Sequence, residues 1–222
     1  MCGRYTLVVN GKVLMDYYSQ LSLDGKLEGD FRANFNVAPT QVMPVVTAEA
    51  VEQMTWGLVP SWSKEFKPAF TSINARAESV AEKPLYRTPF KKRRALIPAT
   101  GFYEWQKRPT FKQPYYFRLP DHELFSFAGL YDVWYDKDDV AHKSYTIITT
   151  TPNSTMTDIH DRMPVILDQS EEQHWLDPET APEELQLLLN PYDGVMQRDE
   201  VSRDVGNVKN NSSDLIGPIN SQ

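Results

Sequence analysis

Cysteine is all but missing from this chain: Cys2 is the only one among 222 residues. One thiol cannot close an internal disulfide or supply a multi-thiolate zinc site, so stability has to come from packing. Histidine is scarce too, at four. His160 has no second His or Cys at ligand spacing, so no metal and no cofactor are expected. No stretch approaches the roughly 20 apolar residues of a membrane span. The N-terminus also lacks the basic-then-apolar run of a secretory signal, and residence in the cytosol, away from membranes, is the expectation. Internal repeats and long low-complexity tracts are absent, which makes a single domain the simplest reading.

What is present is enough apolar side chain, 41%, for a substantial core. Runs rich in β-branched and aromatic residues, bounded by Pro, Gly, Asn or Asp, predict strands at 4–9, 41–46, 51–58, 94–105, 115–119, 124–135 and 144–150, with a further candidate at 195–201. Helices are expected over 13–21, 78–90, 170–176 and 182–189, the last with Pro182 and acids in its first turn. Many strands in succession with few helices between them favour an α+β fold: one domain built on a largely antiparallel, barrel-like sheet with flanking helices. The polar ending at 211–222 reads as a mobile tail after a domain spanning 1–210.

Charge is unevenly spread. The chain carries a formal −7, yet residues 83–118 hold ten basic side chains (Lys83, Arg87, Lys91, Lys92, Arg93, Arg94, Lys107, Arg108, Lys112 and Arg118) against one acid, Glu104. Because screening confines each field to about 10 Å at ordinary salt, a local basic patch can hold phosphates on an acidic protein. A solvated basic surface is the competing reading of the same run.

The position of Cys2 is unusual, since chain termini are ordinarily the least ordered part of a domain. With Met1 removed, which a small second residue favours, Cys2 carries a free α-amine beside its thiol. Both groups have pKa values near 8, so both are partly available at neutral pH. An aldehyde could then be taken as an imine and closed into a thiazolidine. Alternatively the thiol could attack a carbonyl, as in N-terminal nucleophile hydrolases. In SINAR, an extended backbone places Asn74 and Arg76 on one face, forming a clamp for phosphate or carboxylate, or else Asn74 satisfies a turn. In GFYEWQ, Glu104 is either solvent-facing or buried with a raised pKa suited to proton transfer. His160, between Asp158 and Asp161, is a candidate proton carrier or a turn cap. Trp56 and Trp62 in TWGLVPSWS are stacking candidates for unpaired bases, or core residues. The loop VSRDVGNVKN offers Ser202 and Arg203 to a phosphate.

Taken together, MCGRY, NVAP (Asn36–Pro39), WGLVPSW, INAR, GFYEW, DIHDRMP and VSRDVGNVKN, in this order from residue 2 to residue 210, resemble the SOS-response-associated peptidase (SRAP) family. The resemblance implies a sensor of abasic sites in single-stranded DNA that crosslinks covalently to the lesion as a thiazolidine. It implies Cys2 as nucleophile, Asn74 positioning the open sugar, and Glu104 and His160 as acid-base groups. Arg4, Asn36, Trp56, Trp62, Arg76, Arg162, Ser202 and Arg203 would contact DNA. It also implies a cytoplasmic, monomeric protein that associates with the nucleoid during DNA damage, with weak lyase activity at the imine stage. Two alternatives are a thiol (auto)peptidase that removes Met1 or a short leader, and a non-covalent single-strand binder.

Overall fold

The computed structural model describes residues 2–21 and 31–219; Met1 and residues 220–222 of the expected tail lie outside them. In chain order the strands are β1 (Tyr5–Leu7), β2 (Asn34–Val37), β3 (Val42–Val46), β4 (Val51–Trp56), β5 (Asn74–Arg76), β6 (Arg94–Ala99) and β7 (Gly101–Lys107). These are followed by β8 (Lys112–Arg118), β9 (Phe125–Tyr135), β10 (Ala141–Thr150), β11 (Met163–Pro164), β12 (Ile166–Leu167) and β13 (Gln197–Glu200). The helices are α1 (Gly11–Tyr17), α2 (Arg87–Lys92), α3 (Gln169–Leu176) and α4 (Pro182–Leu187). None is long and apolar enough to cross a membrane.

Five strands close on themselves. β10 runs parallel to β4 and antiparallel to β9, and the ring continues β9–β6–β3–β4 through antiparallel pairs. The short strands β5, β11 and β12 attach to its rim. Closure brings backbones close together at Gly129, where a Cβ would lie 2.6 Å from Ile97 and 3.1 Å from the Thr146 carbonyl, so no larger residue fits there. Tyr5, Trp56, Phe127 and Tyr145 fill the interior, edge to face or stacked. The second sheet, in the order β13-β8-β7-β1-β2, lays the N-terminal strand between two partners. Its outer face buries a smaller core of Tyr103, Tyr116, Val201, Val205 and Leu215.

The α+β, largely antiparallel architecture is the one expected; several boundaries differ. The predicted strand 94–105 is two strands in two different sheets, and the chain turns at Thr100–Gly101. A Cβ on Gly101 would fall 2.2 Å from the Tyr116 hydroxyl, so the crossing requires glycine. The helix predicted over 78–90 is mostly turns, and only Arg87–Lys92 is α-helical. Pro84 interrupts the run, while Pro89 sits in the first turn of α2, where a missing N–H costs nothing. α1 starts earlier than predicted because Asn10 Oδ1 accepts the Val13 N–H at 3.0 Å and so fixes the first turn. The segment 211–219, expected to be mobile, is docked. Leu215 is 3% exposed, Asn211 Oδ1 accepts the Phe35 N–H at 2.7 Å, and the Ile219 N–H reaches the Glu200 carbonyl at 2.8 Å. One apolar anchor and edge hydrogen bonds outweigh its polar composition.

Candidate active site

The first residues of the chain are tied down by both sheets. The Tyr5↔Phe102 pairing and the Tyr103 N–H donated to the Arg4 carbonyl at 3.0 Å set an antiparallel register between the N-terminus and β7. Continuing that register sets residues 2 and 3 beside Glu104. From the barrel side, β5 pairs in parallel with β10, Asn74 opposite Ile147. The Asn74 side-chain amide donates to the Cys2 carbonyl at 2.8 Å, and its Oδ1 is buried with no hydrogen-bond partner among the described residues. Tyr86 fixes the Asn74 backbone by donating its hydroxyl to the carbonyl at 3.1 Å.

Cys2 itself is fully buried, its thiol 3.9 Å from the Arg4 carbonyl. Burial, and next the nearby Glu104 charge, push the thiol well above its usual pKa. The expectation that amine and thiol are both available without tuning is therefore corrected for the thiol: forming a thiolate here requires help. Glu104 is 2% exposed, and burial pushes its carboxyl up to about 7. His160 faces it, Nε2 to Oε2 at 4.0 Å, a separation longer than a hydrogen bond. His160 Nδ1 lies 3.0 Å from both the Arg162 N–H and Asp161 Oδ1, which hold the ring with its Nε2 edge toward Glu104. Partial burial lowers the imidazole pKa and keeps the ring neutral near pH 7. Among the described residues no group of three His, Cys, Asp or Glu could hold a metal ion.

Glu104 and His160 open onto a cavity of about 510 Å³, lined also by Arg4, Trp105, Lys112 and Gly206, while Cys2 lies buried behind Glu104. Its far wall is the turn at residues 203–206. Arg4 holds that wall by donating to the Val205 carbonyl and to Asn36 Oδ1, each at 2.6 Å, with its guanidinium 5.8 Å from the Trp105 ring.

Three residues expected at the DNA surface are turned inward instead. Asn36 is 1% exposed, and its amide donates to the carbonyls of Val205, Asn207 and Asn210, so it braces the loop from behind. Trp56 is fully buried: its indole donates to the Ile73 carbonyl at 3.0 Å and its ring stacks on Tyr145. Arg162 is clamped bidentate on Glu78, at 2.5 and 3.0 Å, and also reaches the Thr149 carbonyl. Ser202 caps its own turn, accepting the Asp204 N–H at 3.2 Å. Trp62, at 70% exposure, and the exposed Arg76 and Arg203 stay on the surface, Arg203 with its guanidinium over Phe111. Nor do the ten basic residues of 83–118 form one patch. Arg94 is buried on backbone carbonyls, Arg93 pairs with Asp132, and Arg108 and Arg118 pair with Glu200 and Asp199. Lys112 and Trp105 were not singled out by the sequence as cavity residues. Lys112 was legible only as one more member of that basic run.

A family model described as SOS response associated peptidase (SRAP) matches residues 1–208. The chain is 43% identical to the abasic site processing protein YoqW of Bacillus subtilis (strain 168), over 97% of this chain and 99% of that one. It is 33% identical to the abasic site processing protein HMCES of Xenopus tropicalis, over 85% of this chain and 67% of that one. Among solved structures, a protein from Bacteroides thetaiotaomicron superposes with a TM-score of 0.87 at 30% identity, covering 98% of this chain and all of that one.

Proposed function

Because the chain belongs to the SRAP family, we propose that it processes abasic sites by capturing the ring-opened sugar aldehyde in single-stranded DNA as a thiazolidine on Cys2. The observation that carries this reading is Glu104: a carboxyl buried beside Cys2, at the edge of an open cavity, with its pKa pushed up to about 7. Such a group holds and releases a proton with nearly equal ease at neutral pH. Aldehyde capture needs both. With Met1 removed, the Cys2 amine adds to the aldehyde carbon, and Glu104 protonates the resulting hydroxyl, which leaves as water to give the protonated imine and a Glu104 carboxylate. The thiol then gives its proton to the Glu104 carboxylate as the Cys2 sulfur adds to the carbon of the protonated imine, closing the five-membered ring with Glu104 restored and a net loss of one water. Glu104, deprotonated in the first step, is the acceptor at hand for that thiol proton, which offsets the buried thiol's reluctance to ionise.

His160, at the cavity beside Glu104, would assist proton transfer to the sugar oxygen as the ring opens. Asn74, holding the Cys2 carbonyl, would fix the amine's direction, and its unpartnered Oδ1 is an acceptor for the sugar hydroxyl. The imine is also where β-elimination could cut the strand, and ring closure withdraws it from that branch. Trp62, Arg76 and Arg203 are the exposed residues from the motifs that would follow the flanking strand, with the protein acting as a monomer on one lesion.

The test is intact mass of Met-free protein before and after incubation with a single-stranded abasic oligonucleotide. The expected product weighs the sum of the two reactants less one water. It should vanish in Cys2→Ala and when one residue is inserted between Met1 and Cys2. An adduct that survives Cys2→Ala overturns the reading, and peptide turnover that needs Cys2 but no DNA would favour a thiol peptidase instead.

A further inference from the structure

The proposed chemistry accounts for Glu104, His160 and Asn74 but leaves one charged wall of the cavity without a role. Lys112 begins β8 on the rim, opposite Gly206, whose surroundings are open, with nothing within 4 Å of where a Cβ would sit. The other cation lining the cavity, Arg4, and several nearby are already engaged. Arg4 is bound to Asn36 and Val205, Arg162 to Glu78, and on the same sheet Arg108 and Arg118 pair with acids of β13. Lys112 is exposed and makes no ion pair among the described residues. Its field reaches the reacting groups, where it helps to lower the His160 pKa. An uncompensated ammonium on the lip of a cavity with buried acid-base groups suits an anion that must stop at the lip while an attached neutral group goes in.

We propose that Lys112 binds a backbone phosphate next to the abasic sugar and so sets how deeply the lesion enters the cavity. This assignment rests on the abasic-site reading above, but it makes a claim about binding that holds whether or not the crosslink forms. Lys107, directly opposite Lys112 in the β7–β8 ladder and also exposed, does not line the cavity and serves as a control of equal charge.

The test uses a single-stranded oligonucleotide carrying one tetrahydrofuran abasic analogue, which lacks the aldehyde and cannot react. Its binding by the full chain is followed by fluorescence anisotropy as a function of salt. K112Q should weaken binding about tenfold at low salt and reduce the slope of log affinity against log salt by roughly 0.7, the share of one single-strand phosphate. K112R should keep the slope, and K107Q should change both quantities much less. An unchanged slope in K112Q overturns the assignment. So does an equal loss in K107Q, which would make the effect one of net charge. Failure of the crosslinking experiment with these numbers intact would count against the thiazolidine chemistry alone.

Discussion

Replacing Glu172 with Gln should make the protein more stable above pH 7 while changing little at pH 5. Glu172 lies on α3 with no solvent exposure. One carboxyl oxygen accepts from Ser126 Oγ at 2.5 Å and from the Tyr17 hydroxyl at 3.1 Å; the other is buried without a partner among the described residues. Burial pushes the carboxyl from its ordinary 4.5 up to about 7. A raised folded-state pKa means that the folded chain holds this proton more tightly than the unfolded chain. The associated stability is complete below about pH 4.5 and is lost as pH rises through 7. At roughly 1.4 kcal/mol per pH unit, the loss amounts to about 3 kcal/mol by pH 8.5, of order 10 °C in midpoint for a domain of this size. Gln reproduces the neutral carboxyl, keeps an acceptor for Ser126 and Tyr17, and has no charge to gain. The assay is urea or thermal unfolding of both proteins from pH 5 to 9, read as the difference between them so that Glu104 and other titrating groups cancel. A difference that stays flat with pH, or a variant that is weaker at pH 8.5 than at pH 5, would refute the reasoning.

Two further perturbations follow from the site and its frame. Glu104→Gln should slow adduct formation by about 100-fold and remove the inflection near pH 7 from the rate profile, since the group that both gives and takes the proton is gone; rates measured from pH 5.5 to 8.5 decide it, and a retained inflection would assign it to another group. Gly101→Ala should destabilise the fold by about 1–3 kcal/mol, because the new methyl meets the Tyr116 hydroxyl and disrupts its hydrogen bonds with Thr6 and the Thr100 carbonyl; urea midpoints report it, and a neutral result would mean that Tyr116 moves aside freely.

The strand content was legible because β-branched and aromatic runs punctuated by turn residues carry a local signal. The partition of those strands between two sheets was not, since nothing in 94–105 announces that the chain changes partners at Gly101. The motif residues show the same limit. Cys2, Asn74, Glu104 and His160 are the sequence's candidates, and the fold brings them to one cavity or its immediate support. Asn36, Trp56 and Arg162 stand in motifs just as distinct and yet hold the site from behind. Side-chain type does not reveal which face of a strand points to the ligand when both faces are covered, as they are on β2 and β4. Lys112 escaped for the opposite reason: a basic run offers many equivalent lysines, and only the fold distinguishes the one that lines the cavity.

The bond from Arg4 to the Val205 carbonyl joins positions 201 residues apart. On a chain made from its N-terminus, Cys2 is therefore synthesised well before the wall held by Arg4, which arrives almost last. Until residues near 205 and the anchor Leu215 have emerged, the cavity has no far side, and on the proposed reading Cys2 would meet any small aldehyde unscreened. The order of synthesis thus leaves an interval in which the proposed chemistry would lack its selectivity. Its length is set by how quickly the final fifteen or so described residues fold back onto β1 and β2.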